Sequence, residues 1–157
     1  TKLKAWQPDV VVIELGINDI NGRQWNAQWK KSYQALVEDI QATGAGVVIC
    51  TTFWIGIQSD NPIYALHVGL NNNVRDIAQR TGATLADLWI ATEGCAECVS
   101  TPDVISYFAP HYHGDNMHPS DAGHAAIARV VTDAINGVGA SGTTQKTYYL
   151  PFVANGE

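Results

Sequence analysis

The chain has 157 residues, of which 46% are hydrophobic and 15% charged, and carries a formal net charge of −6 at pH 7. That length and apolar content suit one domain with a substantial core. The absence of any Lys or Arg run excludes the electrostatic footprint of a nucleic-acid or anionic-lipid binder. The apolar runs are strand-length, far short of the roughly 20 residues that cross a bilayer, so no membrane span and no signal-like opening segment are expected.

In chain order, Val10-Val11-Val12-Ile13 is a continuous β-branched run and predicts a central strand buried on both faces. Trp29, Tyr33, Leu36, Val37 and Ile40 recur at helical spacing before Thr43-Gly44. A second strand is expected in Gly46–Thr52, and a second helix follows through Leu66, Leu70, Val74, Ile77 and Ala78 to Thr81-Gly82. Gly44 and Gly82 are expected as helix stops. Ala83–Leu88 reads as a shorter strand. After a long loop, Ser120 is expected to cap a last helix whose face is Ile127, Val130, Val131, Ala134 and Ile135 and which ends at Asn136-Gly137.

This alternation predicts an α/β domain over residues 1–137, with a parallel sheet, right-handed crossovers and ligand binding at the carboxyl ends of the strands. Residues 138–157 read as a linker and a terminal strand, from the Gly/Ser/Thr-rich stretch followed by Tyr148–Val153. A two-faced strand so close to Thr1 predicts that one or two N-terminal strands belong before this polypeptide. Its lone methionine, Met117, points the same way.

Cys50 lies in an apolar run and reads as a buried thiol. Cys95 and Cys98 form an isolated C-x-x-C, read as a small loop disulfide of an oxidising, extracellular or extracytoplasmic compartment, with two free thiols as the alternative.

Two clusters carry chemistry. Gly16-Ile17-Asn18-Asp19 follows the first strand, where Gly16 lets the backbone approach a substrate and the Asn18 amide can donate to a developing oxyanion. Such a segment is more often a plain turn. Asp115-Asn116-Met117-His118-Pro119 precedes the last helix, so Asp115 could hold Nδ1–H of His118 and leave Nε2 as a base. Taken singly, a helix-capping or buried histidine is the simpler account.

Taken together, G-x-N-D after an early strand and D-x-x-H-P before the final helix resemble the third and fifth sequence blocks of the SGNH (GDSL) hydrolase family. The resemblance covers roughly residues 8 to 136 and includes Val11–Asp19, Asn72–Ala78, Thr84–Leu88 and His118–His124. It implies a three-layer α/β/α, flavodoxin-like fold and a carboxylic-ester hydrolase acting on a small-molecule or glycan ester, without cofactor. His118 would be the general base and Asp115 its orienting acid. Asn18 and Gly16 would serve the oxyanion hole, and Asp19 would hold that loop by hydrogen bonds.

The family's G-D-S block, which brings the nucleophilic serine, and its second glycine block are both absent. Ser32 and Ser120 fall in or beside helices, and Ser59, Ser100, Ser106 and Ser141 lack a nucleophile's strand-to-loop context. The serine is therefore expected in a missing N-terminal segment of the same protein.

Two other readings compete. His111, His113, Asp115 and His118 spell H-x-H-x-D-x-x-H, which suits a metal-dependent hydrolase. A non-catalytic binding domain would use exposed aromatics such as Trp25, Trp54 and Trp89. Trp54, Tyr107 and Phe108 are candidate pocket walls, with core packing the plainer role for each.

Overall fold

The computed structural model describes residues 2–21, 27–54, 62–93, 119 and 121–138. In chain order these form α1 (Lys2–Trp6), β1 (Val10–Glu14), α2 (Ile17–Asn21), α3 (Ala27–Gln41), β2 (Gly46–Cys50), α4 (Pro62–Thr81), β3 (Thr84–Ala86), α5 (Leu88–Glu93) and α6 (Asp121–Val138). The expected strands and the three long helices are all present. The short helices α1, α2 and α5 were not expected from the pattern.

The strands make a parallel sheet in the order β1-β2-β3. Val10 pairs with Gly46 and Glu14 with Cys50, while Val48 pairs with Thr84 and Cys50 with Ala86. Because strand side chains alternate, this register puts Val11, Ile13, Val47 and Ile49 on one face. There they pack with Tyr33, Val37 and Ile40 of α3 and Val74, Ile77 and Ala78 of α4. Val10, Val48, Cys50 and Ala86 face the other way, onto Ile135 and the partly buried Ile127, Val130, Val131 and Ala134 of α6. The architecture is three layers, α3/α4, sheet and α6. Burying one aliphatic side chain of this kind is worth about 1.5–3 kcal/mol, so both helix layers are held chiefly by apolar contact.

Among the described strands β2 is the middle one and β1 takes one end of the order, while the expectation of a central β1 concerned a sheet extended by strands before residue 1. The continuous apolar run of β1 reports that both its faces are covered, by α3/α4 and by α6. Gly44 and Gly82 end α3 and α4 with φ of 91° and 70°, the left-handed geometry that glycine adopts without penalty. The expected linker and terminal strand lie outside the described residues from residue 139 onward.

α6 runs antiparallel to the strands. Its last residue, Val138, abuts Gly46 at the start of β2 so closely that a Cβ on Gly46 would collide with it. The first turn of α6 therefore lies on the side of the strands' carboxyl ends, since an 18-residue helix is about 27 Å long. Pro119, buried, leads into it.

Candidate active site at the carboxyl ends of the strands

Three connections leave the carboxyl edge of the sheet, and each is fixed by a different device. After β1, Gly16 is buried with φ 118°. A Cβ there would stand 2.7 Å from Leu70 Cδ2 and 3.1 Å from Trp29 Cζ2. Both backbone geometry and space thus demand glycine. The chain then turns directly into α2, with Ile20 N donating to Gly16 O at 3.2 Å. Ile20 is buried, and Asp19 Oδ2 accepts from Trp29 Nε1 at 3.1 Å, so two of the five residues bind α2 to the body of the domain. Asn18 is exposed and engages no partner among the described residues. Its carboxamide is free at the site edge, and Asp19 has the structural role expected of it.

After β2, Thr51 and Thr52 are buried. Thr52 N and Oγ1 both donate to Asn71 Oδ1 of α4, at 2.9 and 3.0 Å. After β3, Asp87 caps α5 by accepting from Ile90 N at 3.2 Å, and it also accepts from Thr51 Oγ1 at 3.1 Å. Arg75 of α4 grips the same carboxylate through Nε at 2.7 Å and Nη2 at 3.0 Å, a bidentate arrangement. Partial burial pushes the Asp87 carboxyl up, but the Arg75 guanidinium, the Ile90 amide and the Thr51 hydroxyl outweigh it and hold it below the usual carboxylate range.

Other titratable groups near this edge are governed by burial. His67 is lowered to about 4, so its imidazole is neutral at ordinary pH. Cys50 is pushed up to about 12 by burial and then by Glu14, and is an unreactive core thiol, as expected. Tyr33 donates to Ile13 O at 3.4 Å, and burial raises its phenol. Glu14 closes β1 at the border of the body of the domain, and burial of its carboxyl pushes it up to about 7.

Of the residues singled out in the sequence, Gly16, Asn18 and Asp19 stand together at the end of β1. Asp115 and His118 lie outside the described residues, as do His111, His113, Cys95, Cys98, Trp25, Tyr107 and Phe108. Trp54 and Trp89 are 3% and 4% exposed and form a core cluster, with Tyr64 packed edge-on against Trp89 at 5.7 Å; neither is a binding surface. Ser32 lies exposed on the helix α3, where its hydroxyl accepts from Gln28 Nε2 at 3.3 Å. Sequence reasoning missed Thr51, Thr52, His67, Asn71 and the Arg75–Asp87 pair. A signal existed: His67 and Asn71 continue the i, i+3, i+4 spacing of Leu70, Val74, Ile77 and Ala78, so polar residues occupy the buried face of α4.

Residues 1–126 match the GDSL-like lipase/acylhydrolase family. The chain belongs to that family. Among curated relatives it is 24% identical over 147 residues to the uncharacterized esterase YxiM of Bacillus subtilis, covering 89% of this chain and 37% of that protein. It is 26% identical over 136 residues to an acetylxylan esterase of Geobacillus stearothermophilus, covering 80% of this chain and 58% of that one. The chain thus spans well under two thirds of either relative.

The solved acetylxylan esterase Axe2 of Geobacillus stearothermophilus superposes with a TM-score of 0.67 at 24% identity, over 85% of this chain and 62% of Axe2. LAE5, an α/β hydrolase from a Lake Arreo metagenome, gives 0.68 at 24% identity, over 87% and 67%. These likenesses establish the α/β fold. Catalytic mutants of Axe2 replace a serine, an aspartate and a histidine, the last two three residues apart.

Proposed function

We propose that this chain supplies the acid–base and oxyanion parts of a carboxylic-ester hydrolase of the SGNH type, and that its nucleophilic serine lies in sequence preceding residue 1. The observation that carries the reading is the Gly16–Asn18 turn at the carboxyl end of β1. Its glycine cannot be replaced without a clash, and its asparagine amide is left free. The antiparallel course of α6 supports His118 as its partner, because Pro119 leads into that helix on the same side of the sheet. The three-residue spacing of Asp115 and His118 equals that of the catalytic aspartate and histidine of Axe2. In Axe2 the catalytic serine precedes the aspartate by more residues than this chain has before Asp115.

In this mechanism the serine hydroxyl attacks the ester carbonyl as His118 Nε2 takes its proton. Asp115 accepts a hydrogen bond from Nδ1–H and stabilises the imidazolium. The tetrahedral oxygen gains negative charge and accepts from the Asn18 amide, a donor worth about 3 kcal/mol of barrier in comparable sites. Collapse expels the alcohol, which receives the proton from His118, and leaves an acyl-serine. Water then attacks the acyl carbon as His118 takes its proton, and collapse releases the carboxylic acid as His118 returns that proton to the serine oxygen. A short acyl ester, an acetyl group on a small molecule or a glycan, is the substrate class we propose, and an extracytoplasmic setting suits it. Residues 1–137 would be the catalytic unit and 138–157 an appendage to it.

The test is hydrolysis of p-nitrophenyl acetate by the protein including its upstream sequence. His118→Ala should lower kcat by about 1,000-fold or more, and Asn18→Ala by about 100- to 1,000-fold with little change in KM. Losses under about tenfold in both would contradict the assignment.

A further inference from the structure

Among the described residues, the buried polar side chains are Thr51, Thr52, His67, Asn71 and Thr92. All five gather between α4, α5 and the carboxyl end of β2, and their hydrogen bonds can be counted. Thr51 Oγ1 donates to Asp87 Oδ1 at 3.1 Å and accepts from Trp89 N at 2.9 Å. Thr92 Oγ1 donates to Leu88 O at 2.7 Å and accepts from Trp54 N at 2.9 Å. Asn71 Oδ1 is filled by the two donors of Thr52. Two buried atoms are left without a partner, Asn71 Nδ2 and His67 Nδ1.

These two residues are one helical turn apart on the same face of α4, so their Cβ atoms are about 5–6 Å from each other. A buried polar group left unpaired costs about 1–3 kcal/mol, and such groups are rare in folded proteins. Two in a single turn are close enough to share one partner. The Asn71 amide nitrogen can only donate. With His67 neutral at ordinary pH, its Nδ1 can present a lone pair. A partner shared by the two atoms would accept one hydrogen bond and donate another. Both side chains are buried, at 0% and 1% exposed, so a partner of the size of a water suits the place.

We propose that Asn71 Nδ2 and His67 Nδ1 together hold one buried water molecule, and that this makes Asn71 a positioning residue for the Thr52 turn. The water accepts from Asn71 and donates to His67, so the ring proton sits on Nε2. With Nδ2 engaged, the Asn71 carboxamide cannot rotate, and its oxygen stays aimed at Thr52 N and Oγ1. Leu70, the adjacent residue, lies beneath Gly16. One turn of α4 thus supports the loops after both β1 and β2, and the water stiffens that turn.

Two readings on the native protein decide this. A crystal structure with ordered solvent should show a single water within hydrogen-bond distance of both atoms, and ¹⁵N NMR should find Nε2 of His67 protonated and Nδ1 bare. In Asn71→Asp the water can turn to donate to both acceptors, so the ring should keep its proton on Nε2, whereas a ring in direct contact with the new carboxylate would carry a proton on Nδ1 to donate to it. A direct Nδ2–Nδ1 contact, an empty gap, or a native Nδ1–H tautomer would each overturn the proposal. The native readings suffice should the variant fail to fold.

Discussion

The middle of the sheet and its carboxyl end are built from different chemistry. In the middle, Val11, Ile13, Val47 and Ile49 meet α3 and α4 with aliphatic contacts, while Val10 and Val48 meet α6. At the carboxyl end, a few ångströms further along the same strands, Thr51, Thr52, Asn71, Asp87 and Arg75 are joined by directed hydrogen bonds. Apolar packing is non-directional and tolerates shape-conserving change. The polar end fixes where each loop leaves the sheet, and each bond requires one particular partner. A site built on loops gains its accuracy from that second kind of contact, and the first kind supplies the stability on which it rests.

Substitutions in the two regions should therefore fail differently. Ile49→Ala empties a fully buried position between β2 and the α3/α4 layer. Cavity formation there should cost about 2–5 kcal/mol, read from the urea midpoint, whatever the pH. Arg75→Gln removes the cation from a partly buried carboxylate, for an expected loss of about 1–3 kcal/mol at pH 7. That second loss should depend on pH. Asp87 is depressed below its usual value in the folded state, so its pairing contributes above the unfolded carboxylate pKa of about 4 and disappears as pH falls through the lowered folded value. The difference between wild type and Arg75→Gln should shrink in acid. A constant difference would mean that Arg75 acts through packing of its stem, and the contrast between the two regions would fail.

The aliphatic half was legible in the sequence because period-2 and period-3.6 patterns directly record which faces are buried. Hence β1, β2, α3, α4 and α6 lie close to where the spacing of Val10–Ile13, Gly46–Thr52, Tyr33–Ile40, Leu70–Ala78 and Ile127–Ile135 indicated. The short helix α2 was not legible: Gly, Asn and Asp favour turns, and five residues are too few to hold a helix by propensity. It forms because Ile20 is buried and Trp29 donates to Asp19. Of the candidate site, the need for glycine at 16 and the structural role of Asp19 could be read from the sequence. The Asn71–His67 pair was hidden because polar residues on an otherwise apolar helix face read as interruptions until their partners are known.

The most direct measurement is fluorophosphonate labelling of the protein with its upstream sequence, followed by mass-spectrometric mapping of the modified residue. A serine nucleophile activated by His118 should be labelled once, at a serine outside residues 1–157. Stoichiometric label on Ser32, Ser59, Ser100, Ser106, Ser120 or Ser141 would contradict the division of the active site argued for this chain.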